Sequence, residues 1–551
     1  MLAYKNLFYS SVRQGSNTYK TTMIMQQLIA LTYILAFSTL PVFLSGDVSI
    51  TTDIAIIVSG LLVMVLCAST YRAVLGKIFT VVIALLWALN LSISFFFYQK
   101  HDIRFSSSIA ETFINTNSNE TMGMLSYNIG YVAFYLIVFV LYLFSIHRCS
   151  KYISPRITKL NIVFVVGFLV SIPIYYSPLL KQPDSHLLVG EKYLQNSPFY
   201  NAAALLKNFY ENREIEQISS QKVSFHYDKT SSDTQIYVLV VGESLRRDHM
   251  SLYGYGYNTT PNLKNRQNQM QVFTQAYSPA PVTILSVPIS LANIQLTQIQ
   301  NKKHYADNII SLANHAGFKT YWLSNQGKTN KKTSVISTIA SMAQDKTWNE
   351  FVGYDNELID DFESAINDNT AKKKLIVLHT YGSHEPACNR FPEEQLKKMS
   401  GQEDDDCYDS SIAYTDAFIE ELLQKIEGKP ATLMFFADHA LQRLDSDGNI
   451  HYHHGVNNPR KEAYEIPLFI WYSQRTSEKN TLTAKTLNSP YSTANNYWLI
   501  SDWLGIHHRA SQSCLSPLRE CYQPNKNIQV IDGNRNLLSI NQLPTETVDP
   551  Q

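Results

Sequence analysis

Hydrophobic and polar positions divide the chain into two unlike parts near residue 180. Before it, five apolar stretches separated by polar gaps run about 23–44, 53–68, 78–98, 127–146 and 162–180. Most approach the ~20 residues that an α-helix needs to cross a hydrocarbon core, and the second is the shortest. A soluble domain can bury one such helix; five in succession predict a transmembrane bundle over residues 1–180. The first is too long for a cleavable signal and lacks a small-residue cleavage site. Residues 181–233 are polar and read as a linker, with Tyr200 to Tyr210 as an amphipathic segment suited to a membrane surface. From 234 to 551 the pattern changes to short apolar runs alternating with helical stretches. Gln235 to Val241, Lys319 to Leu323, Lys374 to Leu378, Ala431 to Phe436 and Ile466 to Trp471 read as buried strands. Asn356 to Asn367 and Ser410 to Ile426 read as helices between them. The alternation predicts an α/β domain whose mostly parallel sheet is covered by helices on both faces.

Charge adds an orientation. Lys5, Arg13 and Lys20 precede the first stretch, Arg72 and Lys77 lie between the second and third, and Arg148, Lys151, Arg156 and Lys159 between the fourth and fifth. The alternate gaps are poor in Lys and Arg, so the N-terminus belongs in the cytoplasm and everything beyond about residue 182 outside. With 46 basic and 46 acidic residues, nothing in the overall charge argues for a nucleic-acid partner. Of six cysteines, Cys388, Cys407, Cys514 and Cys521 fall in the exported part, an even number that suits an oxidising compartment. Connectivity does not follow from sequence; 388 with 407 and 514 with 521 are the local pairings, and the acidic stretch Gly401 to Asp406 between the first two reads as mobile.

Three of the expected strands run into metal-ligand residue types. Tyr237–Gly242 delivers Glu243, Leu433–Ala437 delivers Asp438 and His439, and Leu375–Leu378 is followed by His379 and His384. Carboxylate oxygen and imidazole nitrogen are ordinary zinc donors. Any one of them alone reads as a helix cap or surface charge. Their coincidence at three strand ends, where ligands gather in parallel sheets, favours a metal site.

Val241-Gly-Glu243-Ser-Leu-Arg-Arg-Asp-His-Met-Ser-Leu-Tyr-Gly-Tyr, the Asp438-His439 pair and Ser383-His-Glu-Pro386 together resemble the motifs of bacterial phosphoethanolamine transferases. These are membrane-anchored members of the alkaline phosphatase and sulfatase superfamily, and the resemblance covers essentially the whole chain. It implies a bacterial inner-membrane protein with five spans and a periplasmic catalytic domain at 234–551. It implies one tightly bound zinc held by Glu243, Asp438, His439 and the nucleophile Thr283, which lies in Ser278-Pro-Ala-Pro-Val-Thr283-Ile-Leu-Ser286. Ser286 is the fallback nucleophile, and Thr283 also suits a helix start after a Pro-rich turn. Asn325 and Lys328 resemble the family segment that contacts phosphate. His384 and His454 resemble the histidines that bind a second zinc or the phosphoryl oxygens; His453 and His451 are the neighbouring choices for the latter. In the loop between the third and fourth spans, Thr112, Thr116 and Glu120 share one face if helical. Thr116 and Glu120 resemble the pair that grips the donor's ethanolamine ammonium.

The implied reaction takes phosphoethanolamine from the donor lipid phosphatidylethanolamine, through Thr283, to a glycan of the cell envelope: lipid A, core, O-antigen or periplasmic glucan. A phosphoglycerol transferase shares the anchor, the threonine and the metal logic. A sulfatase is disfavoured because Cys/Ser-x-Pro-x-Arg does not occur around Thr283. A non-catalytic anchor or assembly protein would have no need of Glu243, Thr283, Asp438 and His439 together.

Overall fold

The computed structural model describes residues 50–101, 129–151, 215, 218–230, 232–326, 334–349, 353–446, 449–455, 458–476 and 482–546. The first and fifth apolar stretches, the Tyr200–Tyr210 segment, Thr112, Thr116, Glu120 and Lys328 lie outside the described residues. Two compact units emerge.

The N-terminal unit contains α1 (Ile50–Thr70), α2 (Val74–His101) and α3 (Ile129–Cys149), which cover the second, third and fourth expected stretches. At ~1.5 Å per residue each is roughly 30 Å long or more, the thickness of a bilayer core. Met64, Cys67, Trp87 and Tyr142 pack together. Leu75, Leu86, Ile137 and Val140 are exposed. Helices apolar on both the packed and the open side suit the lipid surroundings that the sequence leads one to expect. Among the described residues, Val74–Ile93 and Gly130–Cys149 are long and apolar enough to cross a membrane.

The C-terminal unit is built on a sheet of β2 (Ile236–Gly242), β3 (Met270–Tyr277), β4 (Lys319–Ser324), β5 (Asp345–Trp348), β6 (Lys374–His379), β7 (Ala431–Ala437), β10 (Glu465–Tyr472) and β11 (Tyr491–Ser492). Their spatial order is β11-β3-β10-β7-β2-β6-β4-β5. Strands β2, β6 and β7 are buried along their whole length, which explains why they read as unbroken apolar runs rather than alternating ones. The sheet is mixed, because β10 runs antiparallel to both of its neighbours, β3 and β7. The other pairings are parallel. Two further strands, β8 (Gln442–Ser446) and β9 (Asn449–His453), form a hairpin that leads into His454. Residues of the expected linker join this unit, since β1 (Tyr227–Lys229) pairs with β12 (Ile506–His508).

Helix α4 (Thr283–Leu291) begins at the expected nucleophile, and α5 (Leu358–Asn367) falls where a helix is expected. Helix α6 (Glu403–Ile426) starts seven positions earlier than its apolar periodicity suggests. The acidic stretch expected to be mobile is therefore corrected: Glu403 to Asp406 form the first turn of α6, where negative side chains complement the helix dipole. Asp406 Oδ1 accepts from the Met399 and Ser400 amides at 2.8 and 2.7 Å, tying the preceding loop to that turn. The local cysteine pairings both form, Cys388–Cys407 and Cys514–Cys521, with Cα separations of 4.7 and 5.3 Å.

Candidate metal centre

Register brings the chemistry together. Gly242 at the end of β2 pairs with Ala437 at the end of β7, and Val241 pairs with His379 at the end of β6. Glu243, Asp438 and Thr380 thus leave three adjacent strands side by side, at the carboxyl edge where parallel sheets bind ligands. Gly242 leaves room for the Phe435 ring, which would have to shift for any other residue because a Cβ there would lie 2.6 Å from it. The chain then turns sharply: Ser244 adopts a left-handed φ of 57°, a conformation costly for a residue with a side chain and frequent at functional sites. Its amide donates to Asp438 Oδ1 at 3.1 Å and its hydroxyl to Glu243 Oε1 at 2.6 Å. Helix α6 secures the turn from outside, Tyr408 donating its hydroxyl to the Ser244 carbonyl at 2.6 Å.

Thr283 comes to the same point from the first position of α4. Its Oγ1 lies 3.1 and 3.0 Å from the two oxygens of Glu243 and 3.1 Å from His439 Nε2. Ser286, one turn on, is fully buried and donates to the Asp438 carbonyl, which leaves Thr283 as the accessible hydroxyl. His439 Nε2 lies 3.2 Å from Glu243 and 3.5 Å from Asp438 Oδ2. Its other nitrogen, Nδ1, lies 3.0 Å from the Ala440 carbonyl, so Nδ1 donates there and Nε2 is the nitrogen turned to the centre, where a cation would take the place of its proton.

The donor set is that of a cation site. Two carboxylates and an imidazole are buried within a few ångströms of one another, and Asp438 Oδ2 is buried without a hydrogen-bond partner. Burial, and then the charge of Glu243, push the Asp438 carboxyl up to about 8. For His439, burial is outweighed by the charges of Asp438 and Glu243, which lift it to about 9. Burial opposes ionisation of Glu243 as well, but the hydrogen bond and charge of His439 hold it well below the usual carboxylate range. Without metal the cluster shares protons among groups that would each be good ligands without them. A divalent ion with tetrahedral N/O preference fits these donors, and Glu243, Asp438, His439 and Thr283 would hold it.

A second grouping adjoins the first. Ligand atoms of Glu243, His384 and His454 lie within 4.8 Å of one another. The His454 ring centroid is 4.9 Å from that of His439 and 5.5 Å from that of His384. Among the neighbouring choices, His453 sets its Nδ1 3.0 Å from the His454 carbonyl, and His451 pairs with Asp404 at 2.6 Å. His454 is therefore the one beside the cluster. Asn325 is not brought to it: fully buried, it donates to Asp355 Oδ1 at 3.0 Å. Its neighbour Gln326, which the sequence did not single out, donates Nε2 to Glu243 Oε2 at 2.8 Å and to the Thr380 carbonyl at 2.7 Å. Its adjacency to Asn325 at a strand end was the available signal. Gly382 serves the same packing, with φ 45° and room for no Cβ, which would lie 2.6 Å from the Glu243 carbonyl.

Residues 235–506 match the sulfatase family, and residues 16–219 match the transferase YhbX N-terminal domain. The putative transferase YhbX of Escherichia coli strain K12 is 32% identical over 474 residues, 85% of this chain and 86% of that protein. The phosphoethanolamine transferase EptC of the same strain is 25% identical over 454 residues, 72% of this chain and 75% of its own length. The crystal structure of the C-terminal periplasmic domain of EcEptC in complex with Zn superposes with a TM-score of 0.53 at 22% identity, covering 59% of this chain and 98% of that one. The integral membrane protein lipooligosaccharide phosphoethanolamine transferase A from Neisseria meningitidis superposes over 90% of this chain and 96% of its own, with a TM-score of 0.62 at 18% identity. The two structures share this fold, and the sequence matches show that the chain belongs to the bacterial phosphoethanolamine transferase family, within the alkaline phosphatase and sulfatase superfamily.

Proposed function

We propose that this protein transfers phosphoethanolamine from phosphatidylethanolamine to a cell-envelope glycan, with Thr283 as the nucleophile, at the periplasmic face of a bacterial inner membrane. The observation that carries the reading is the placement of Thr283 Oγ1 within about 3.1 Å of Glu243 and His439 at the start of a helix. A zinc ion held by Glu243, Asp438, His439 and Thr283 would supply positive charge that lowers the pKa of the hydroxyl and offsets charge gathering on the phosphoryl oxygens.

The residues themselves do the positioning. Thr283 Oγ1 approaches phosphorus; a new O–P bond forms as the bond from phosphorus to the diacylglycerol oxygen breaks. The proton given up by the threonine passes to the departing diacylglycerol, leaving phosphoethanolamine on Thr283. An acceptor hydroxyl or phosphate then displaces it in line, and the threonine regains a proton. The start of α4 supports this step, since the free amides of a helix N-terminus favour an arriving phosphoryl group. His384 and His454 border the same space, and zinc at a second position would fall to them and Glu243. Thr116 and Glu120 are proposed to hold the ethanolamine ammonium, with Lys328 near the phosphate.

Mass spectrometry of the purified full chain mixed with phosphatidylethanolamine should find phosphoethanolamine on the peptide that contains Thr283. Thr283→Ala should lose both the adduct and transfer while remaining folded and membrane-inserted. Near-normal transfer by that variant would remove Thr283 from the mechanism.

A further inference from the structure

The two histidines beside the metal cluster are held by a single residue. His384 Nδ1 lies 2.7 Å from the backbone carbonyl of Glu385, and His454 Nδ1 lies 3.0 Å from its carboxylate, Oε1. The partners come from distant parts of the chain, 69 residues apart. His384 and Glu385 follow β6, whereas His454 ends the β8–β9 hairpin. A carbonyl oxygen and an ionised carboxylate can only accept hydrogen bonds. Each contact therefore requires the proton on Nδ1, and in the neutral imidazole that leaves the lone pair on Nε2.

We infer that Glu385 is a positioning residue that fixes both His384 and His454 in the Nδ1-protonated form, so that each presents an Nε2 lone pair to the space beside Glu243. The consequence is chemical. Lone pairs suit a cation, or the hydroxyl proton of an incoming acceptor; they do not suit a phosphoryl oxygen, which needs a donor. The arrangement therefore favours acceptor activation or a second metal over direct phosphate contact by these two imidazoles. Glu385 is well placed to hold still. Three residues on, Cys388 is bonded to Cys407 in α6, and Arg390 stacks 3.9 Å over the ring of Tyr381. Asp355 accepts from the Tyr381 and Gly382 amides at 2.7 and 2.8 Å, anchoring the loop from below.

The two contacts differ in what a mutation removes. Glu385→Ala deletes the carboxylate under His454 but keeps the carbonyl under His384. Glu385→Gln keeps an acceptor oxygen for His454 and serves as the conservative control. Nitrogen-15 NMR of histidine-labelled, metal-free full chain in detergent reads the protonated nitrogen directly, with signals assigned by their loss in His384→Ala and His454→Ala. We expect both histidines Nδ1-protonated in the wild type. Glu385→Ala should move the His454 signal to a mixture of tautomers and leave that of His384 alone, and Glu385→Gln should change neither.

The activity arm rests on the transferase reading and uses a fluorescent phosphatidylethanolamine in mixed micelles. There Glu385→Ala should lower kcat by about 10- to 100-fold with little change in KM. Combined with His454→Ala it should cost nothing further, since both changes break one unit. A wild-type His454 or His384 protonated on Nε2, an unmoved His454 signal in Glu385→Ala, or losses that multiply in the double variant would overturn the inference. A wild-type protein that does not consume the lipid would sink the transferase reading instead, and the NMR result would still decide the role of Glu385.

Discussion

Asp438 and His439 hold protons that a cation would displace, and this gives the metal-free centre a pH dependence of definite sign. The Asp438 carboxyl rises from an ordinary 3.8 to about 8, through burial and then the charge of Glu243, so the folded protein keeps a proton that the unfolded chain has lost. Against burial, the charges of Asp438 and Glu243 lift His439 from 6.5 to about 9, with the same consequence. Where the folded state binds more protons than the unfolded one, stability falls as pH rises. Between about pH 6.5 and 8 both groups act together, and the lowered Glu243 is ionised in both states. The chelated protein should therefore melt at lower temperature as pH rises through that window, while the zinc-loaded protein, with both ligands already deprotonated, should change little there. Thermal melts with chelator and with zinc would show it; a chelated protein that gains stability across the window would contradict the proton assignment. Gln326 offers a second residue-scale test. Its amide donates to Glu243 from outside the ligand set, so Gln326→Ala should weaken zinc binding by about 10-fold or more, read by competition with a chelating dye. Unchanged affinity would show that Glu243 needs no such support.

At the scale of elements, what the sequence made legible and what it hid follow from burial. Strands β2, β4, β6, β7 and β10 could be placed within a residue or two because central strands covered on both faces are written as short apolar runs. β3 escaped because Gln271, Thr274 and Gln275 interrupt its apolar residues, and it is only partly buried. The first turn of α6 escaped because four acidic residues carry no apolar period; buried Asp405 is satisfied by the distant Tyr452 and Asp406 by amides of the preceding loop, partners that no periodic pattern announces. In the site, Glu243, Asp438, His439 and Thr283 were legible through strand ends and motif. Gln326 was not, since adjacent residues leaving a strand point to opposite sides and sequence does not say which faces the centre. The Cys388–Cys407 link joins the loop after β6 to α6 across a separation of 19 residues. Closing a loop of that size contributes ~3 kcal/mol in the chain-entropy account. Replacing both cysteines by alanine should lower the melting temperature and weaken acceptor use through the His384–Glu385 loop. Zinc content should hold, because Glu243, Asp438 and His439 sit on strand ends of the sheet. Elemental analysis beside calorimetry would check this; zinc lost from a variant that melts normally would reverse the assignment.

At the scale of the whole molecule, the proposed transfer depends on which side of a membrane the C-terminal unit occupies. The proposed topology puts the N-terminus in the cytoplasm because of its positive charge, and an odd number of crossings would then deliver the C-terminal unit to the periplasm. Among the described residues, α2 and α3 carry stretches long and apolar enough to cross, and Arg72 in the α1–α2 turn and Lys77 in the first turn of α2 lie on the side proposed to be cytoplasmic. The disulfides suit the same topology, since both lie in the C-terminal unit and such bonds persist in oxidising compartments, whereas Cys67 and Cys149 in the helical unit form no disulfide. Single reporter cysteines make the topology measurable. Ala73 and Lys372 are both exposed, one in the α1–α2 turn and the other before β6. In a background with Cys67 and Cys149 replaced by serine, a membrane-impermeant maleimide that passes the outer membrane should label Lys372→Cys in intact cells. Ala73→Cys should be labelled only after the inner membrane is opened. Equal labelling of both in intact cells would remove the odd number of crossings. Labelling of Ala73→Cys alone would turn the protein over and place its metal centre in the reducing cytoplasm, away from the exported glycans that the proposed transfer requires.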